Sequence, residues 1–148
     1  MQIQNNNYTI FWDDLKKAEQ EEMENIELMK EVLNIDTIEK DKDRFSVYDF
    51  KTDNFYIEFR RRYCNLNKYP TTMIPKSKID FSNKTDKPCY IFIKFNDCIT
   101  LWKVPKNLNP KWKKGGRMDR GENEYRYKKQ YYYLDIEELD VFEIVEAD

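Results

Sequence analysis

The sequence predicts an α+β chain in which one long N-terminal amphipathic helix precedes a series of short strands and a second, shorter helix. Three observations carry this. From Tyr8 to about Leu33 there is no proline or glycine, and Phe11, Leu15, Ala18, Ile26, Met29 and Leu33 fall on one stripe at helical spacing. From Phe45 onward, short runs of bulky β-formers alternate with turn residues. Between those runs, Pro75 to Phe81 reads as a short helix with proline at an early position.

Taken in order, residues 1–7 are polar, rich in Asn and expected to be disordered. Within the first helix, Glu22 occupies the stripe position between Ala18 and Ile26; a carboxylate there either reaches water at the stripe's edge or points inward at a site. Phe45–Phe50 and Asn54–Arg60, separated by Lys51-Thr52-Asp53, read as an antiparallel hairpin. In its second strand the period of two puts Tyr56, Glu58 and Arg60 on one face and Phe55, Ile57 and Phe59 on the other. Asn65–Thr72 reads as a polar basic loop. Cys89–Phe95 and Ile99–Val104 form the next strand pair around Asn96-Asp97. Residues 105–126, with Pro105, Pro110 and Gly115-Gly116, read as a long basic loop. Tyr131–Leu134 is then a strand, Ile136–Leu139 a helical turn and Val141–Val145 a last strand.

At 148 residues the chain has the size of one domain, and a single folding unit over 1–148 is expected. Although 36% of residues are charged, a 16% aromatic share supplies enough bulky apolar surface for a real core. Cys64, Cys89 and Cys98 are odd in number and form no CxxC pair, and no signal peptide or membrane-length apolar run is present. An intracellular protein of cytoplasm or nucleus, with reduced thiols and no membrane association, is the expectation. There is no histidine, so zinc is not expected, and mechanisms that use histidine as base or acid are excluded. What remains is chemistry on carboxylates, Lys, Arg or Tyr, and carboxylates are hard ligands suited to Mg²⁺ or Mn²⁺.

The net charge of −2 conceals segregation. Residues 1–43 hold 12 acids and 5 bases, and residues 134–148 hold 7 acids and no base. Residues 60–87 hold 8 bases and 2 acids, and residues 103–129 hold 10 and 3, so two basic blocks lie between acidic ends. Such blocks suit a face that tracks phosphates, or simply a solvated lysine-rich surface.

The candidate site lies in the hairpin. Asp49 ends its first strand, Glu58 lies inside the second and Arg60 follows on the same face, so two carboxylates and a cation can meet at one end of the sheet. The run YDFKTDNFYIEFRRR resembles the D-x(n)-E-x-K signature of the PD-(D/E)xK nuclease superfamily. KYPTTMIPKSKIDF, and GGRMDRGENE followed by YYYLDIEEL, resemble later segments of small nuclease-like proteins of phages and giant DNA viruses, so the likeness spans about residues 45–139. A composition rich in Asn, Lys, Ile and Tyr suits the AT-rich genome of such a virus or a virophage.

The resemblance implies a mixed central sheet flanked by helices, restriction-endonuclease-like, and a Mg- or Mn-dependent endonuclease or resolvase. Asp49 and Glu58 would be metal ligands, with Glu22 as an auxiliary one. Arg60 stands where the superfamily has lysine; arginine supplies charge but does not transfer protons. Lys76 or Lys78 on the following helix can reach in instead, as migrated lysines occur in the superfamily, and Lys78 is taken with Asp49, Glu58 and Arg60 as the catalytic set. Arg61, Arg62, Lys76, Arg117 and Arg120 are the candidate nucleic-acid contacts, with DNA preferred to RNA as partner. The alternative is a degenerate nuclease fold without cutting activity, a regulator that binds nucleic acid or a protein. Asp49 as a turn residue and Glu58 as a surface acid paired with a neighbouring arginine are the ordinary structural explanations. Tyr131–Tyr133 suggest an apolar sheet edge and hence a homodimer.

Overall fold

The computed structural model describes residues 6–43, 46–114 and 129–144. The chain divides into two units, Met1–Ile38 and Glu39–Asp148. The first unit is helix α1 (Asn6–Leu33). The helix ends where Asn34 takes a left-handed backbone (φ 54°). Asn34 N–H then donates to Glu31 O (3.2 Å) and Ile35 N–H to Lys30 O (3.0 Å), which satisfies carbonyls that the last turn would otherwise leave bare. No described helix is long and apolar enough to cross a membrane.

The second unit contains two sheets. The larger runs in the order β1 (Glu39–Lys40), β2 (Phe50–Lys51), β3 (Tyr56–Arg61), β5 (Cys89–Lys94), β6 (Cys98–Lys103), β9 (Asp140–Glu143). It is mixed: β3 and β5 are parallel and all other neighbours are antiparallel. A parallel pair needs a crossover, and the chain between β3 and β5 supplies one that contains β4 (Thr71–Pro75) and helix α2 (Lys76–Lys84). The smaller sheet has the order β4, β8 (Gln130–Asp135), β7 (Lys113–Lys114), all antiparallel.

One face of the larger sheet carries Cys89, Ile91 and Ile93 of β5, with Cys98 and Trp102 of β6. These join Ile79 of α2 and Ile74 and Leu134 of the smaller sheet in one buried cluster. Tyr56 of β3 packs edge-on against Phe81 of α2, with ring centroids 5.0 Å apart, and Tyr48 lies 5.3 Å from the same ring. The helix is therefore seated over the β2–β3 end of the sheet. Its C-terminal side is held by Lys106, whose Nζ donates to the carbonyls of Ser82 (2.7 Å), Thr85 (3.0 Å) and Lys87 (2.6 Å). An ammonium there meets both the exposed carbonyls and the negative end of the helix dipole.

Most strands fall where the periodicity puts them, and four expectations need correction. The first hairpin strand shortens from Phe45–Phe50 to Phe50–Lys51, since residues 47–49 bend. The basic loop ends early, because Thr71–Pro75 finds a partner in Tyr131–Asp135 and becomes a strand. The long loop after Val104 is interrupted at Lys113–Lys114, which pairs with Gln130–Tyr131. Finally, Tyr131–Tyr133 belongs to the middle strand of the smaller sheet, where β4 pairs with all three residues and β7 with Tyr131, so the strand is not the sheet edge on which the homodimer expectation rests. Disorder of residues 1–7 was expected; Asn6 and Asn7 are helical, and residues 1–5 lie outside the described residues.

Lys106→Ala should destabilise the protein by about 1–2 kcal/mol, the worth of several charge-assisted bonds partly replaced by water. Equilibrium urea unfolding measures this directly, and an unchanged midpoint would show that the carbonyls are equally well satisfied by solvent.

Candidate active site

The register of β2 and β3 builds the site. Phe50 pairs with Ile57 and Lys51 with Tyr56, so one further step puts Asp49 opposite Glu58 on the same face. Asp49 is held there by its own backbone, since its carbonyl accepts from Asp41 N–H at 2.7 Å. Asp41 in turn fastens the loop: its carboxylate accepts from Asp43 N–H (3.0 Å) and Ser46 Oγ (2.9 Å). Those two hydrogen bonds, the Asp43 amide first, hold the Asp41 carboxyl below its usual range.

Glu58 is only 5% exposed, because β3 lies inside the sheet between β2 and β5. Its Oε2 lies 2.6 Å from Lys78 Nζ and 3.9 Å from Arg60 Nη1. Lys78 reaches it from the first turn of α2, held by a hydrogen bond from Nζ to Val47 O and lying 5.5 Å from the Tyr48 ring. Tyr48 OH donates to Lys78 O (2.8 Å), which closes the loop between helix and site, and burial pushes the Tyr48 phenol far above its usual range.

The second oxygen, Glu58 Oε1, is buried and has no hydrogen-bond partner. The Asp49 carboxyl lies within hydrogen-bonding reach of Glu58, yet two carboxylates offer each other no donor unless one is protonated. Burial foremost, then Asp49, pushes Glu58 up to about 7, against the opposing pull of Lys78.

Asp49, Glu58, Arg60 and Lys78 are thus brought together within the second unit. Glu22 is half-buried on α1, in the first unit. The candidate nucleic-acid contacts have other engagements. Arg61 donates to Lys94 O (3.0 Å) and Asn96 Oδ1 (2.8 Å) and lies 4.5 Å from the Tyr63 ring centroid. Arg62 donates to Met73 O (3.2 Å), and its own burial and the nearby Arg60 charge lower its pKa. Lys76 pairs with Asp80 at 2.7 Å, beside the Trp112 ring. Arg117 and Arg120 lie outside the described residues. Sequence reasoning missed Tyr48 and Val47 as the anchors of Lys78. The one available signal was the aromatic at 48 beside the candidate acid.

Among the described residues, no group of three or more His, Cys, Asp or Glu is placed to hold a metal ion. A hard divalent cation is nevertheless compatible with what is present. Mg²⁺ commonly takes one or two carboxylates and completes its shell with water, and the buried, donorless Glu58 Oε1 beside a second carboxylate is the kind of oxygen such an ion satisfies.

A mixed sheet with a parallel central pair, a crossover helix over it and two acids facing each other across its outer hairpin defines a protein of the PD-(D/E)xK nuclease-like class. Residues 14–143 match the family described as "Phage putative PDDEXK endonuclease", and the chain belongs to that family. No curated protein and no solved structure matches it.

The Glu58 shift has a consequence for stability. Its carboxyl titrates near 4.5 when unfolded and near 7 when folded, so between these values the folded state holds the extra proton. In EDTA, stability should be greatest below pH 4.5 as far as this group is concerned. It should then fall as pH rises through 7, by an amount on the order of a few kcal/mol. Lys78, Arg60 and Asp49 surround the group, and Glu58→Gln should flatten that slope in urea unfolding across pH 5 to 8. An identical slope in the variant would mean that another group carries it.

Proposed function

We propose that this protein is a metal-dependent endonuclease of the resolvase kind that hydrolyses phosphodiester bonds at the Asp49–Glu58 site, with DNA as its substrate. The observation that carries the reading is the Lys78 ammonium 2.6 Å from Glu58 Oε2. The sequence signature lacks lysine at position 60, and α2 brings one to the same carboxylate from a different element. The nucleic-acid partner follows from family membership and accords with the two basic blocks.

Asp49 and Glu58 Oε1 would hold Mg²⁺ or Mn²⁺. When bound, such an ion supplies Lewis-acid charge at the phosphate and lowers the pKa of a water. The chain's own groups have separable tasks. Lys78 favours the charged form of Glu58 and supplies a compact cation beside the reacting phosphate. Arg60, at 3.9 Å, adds a permanent positive charge that can pair with a phosphate oxygen but not shuttle a proton. The non-cutting alternative rested on arginine at position 60, and Lys78 removes that reason for preferring it.

Cleavage of supercoiled and branched DNA in Mn²⁺ tests the reading. Asp49→Asn and Glu58→Gln should each reduce cleavage beyond detection while circular dichroism stays unchanged. Lys78→Met should cost about 10²–10⁴-fold, assayed above pH 7 where Glu58 is charged in the wild type. Arg60→Lys should stay within a few-fold of the wild type. Cleavage that survives loss of both acids would sink the mechanism.

DNA binding should also weaken steeply with salt, since each phosphate neutralised by the basic blocks releases counterions. Fluorescence anisotropy from 50 to 200 mM salt measures the slope, and indifference to salt would point to a protein partner.

A further inference from the structure

Beyond the end of β3 the second unit contains a cavity of about 480 Å³ that the site chemistry leaves unused. Its size lies within the range of small-ligand pockets. Tyr63, Tyr69 and Tyr133 are among its walls, with Met73, and Arg62 and Thr72 add polar groups. Tyr69 is 59% exposed and Tyr63 is 80% exposed, large rings presented at the cavity rather than folded into the core. Thr72 is the opposite case: it is 6% exposed, and its buried Oγ1 has no hydrogen-bond partner. Thr72 lines the cavity, so a ligand at this wall can supply the missing partner once the Thr72 side chain turns toward it.

The cavity and the candidate active site lie along the same strand, with Arg62 among the cavity walls. Arg62 N–H donates to Lys94 O (2.9 Å), which carries the β3–β5 ladder one residue past the strand, so Glu58, Arg60 and Arg62 share a face. Four residues of strand separate Arg62 from Glu58 by about 13 Å, or about four base steps of stacked DNA and fewer of an extended strand.

We propose that this cavity is a nucleobase pocket that receives an unstacked base of the substrate a few nucleotides from the scissile phosphate. A base presents the flat face that tyrosine rings stack upon and an edge of donors and acceptors for the Thr72 hydroxyl. The inference rests on the nuclease reading for its placing of the phosphate, but base binding itself needs no metal. An unpaired base therefore enters more readily than one in a duplex, and branched or frayed DNA is the preferred substrate class.

Calorimetry of the full chain in EDTA tests this with the four 2′-deoxynucleoside 5′-monophosphates and with 2-deoxyribose 5-phosphate, which lacks the base. The nucleotides should bind at least tenfold more tightly than the sugar phosphate. Tyr69→Ala, at an exposed position, should weaken them about tenfold, and the isosteric Thr72→Val about threefold to tenfold. Bound nucleotide should slow alkylation of Cys64, which lines the cavity and is half-buried, whereas Cys89 and Cys98 are buried. Equal binding of the sugar phosphate, binding indifferent to both substitutions, or no nucleotide binding at all would each overturn the pocket. Cleavage that still depends on Asp49 and Glu58 in any of those cases leaves the nuclease reading intact; nucleotide binding by a protein that never cuts leaves the pocket and removes the enzyme.

Discussion

The contact on which the rest of the site depends is the ion pair between Glu58 and Lys78. A carboxylate on an interior strand loses most of its hydration, and only a partner at hydrogen-bonding distance keeps the charged form accessible. Lys78 provides that partner at 2.6 Å, but it does so from a helix, so the pair also fixes where α2 sits over the sheet. The Tyr48 hydroxyl on Lys78 O and the Lys78 ammonium on Val47 O tie the same helix to the loop that carries Asp49. Site geometry and helix docking are thereby one set of interactions, and a change to either is felt by the other.

That coupling leaves Glu58 poised rather than satisfied. One oxygen is paired, the other is buried without a donor, and a second carboxylate lies beside it. In the absence of a cation the cheapest relief is a proton, which is why burial and Asp49 together raise Glu58 to about 7. A proton and a divalent cation would compete for the same oxygens. The raised value is the electrostatic counterpart of a carboxylate that protein donors leave only half satisfied, and shifts of this kind are characteristic of functional positions.

The arginines next to the site show a different economy of charge. Arg61 and Arg62 read as a basic run in the sequence, yet their guanidinium groups donate to backbone carbonyls of the β5 end and of β4. Arg61 braces the end of the larger sheet, and Arg62 ties that sheet to the smaller one across the start of the crossover. Lys106 likewise donates to three carbonyls at the far end of α2. Arg61, Arg62 and Lys106 are thus engaged by backbone carbonyls, so a count of basic residues overstates what is available to a phosphate.

The sequence by itself determined the elements whose signals are local. Period-two alternation marked β3, runs of β-formers around the Asn96-Asp97 turn marked β5 and β6, and the proline-free apolar stripe marked α1. It also determined that Asp49 and Glu58 meet across one hairpin, because the distance between them across Lys51-Thr52-Asp53 is set by a short turn, although Asp49 lies just before the strand rather than in it. Only the tertiary structure decided the rest. Pairing of β3 with β5 rather than with β4, the strand made by Thr71–Pro75, and the place of Tyr131–Tyr133 on the middle strand of the smaller sheet all depend on partners far along the chain, which no local pattern records. Which cation would face Glu58 was undecided between positions 60, 76 and 78 for the same reason. Alternation brought Arg60 to the correct face but only to 3.9 Å, whereas the docking of α2 carried Lys78 to 2.6 Å and turned Lys76 to Asp80.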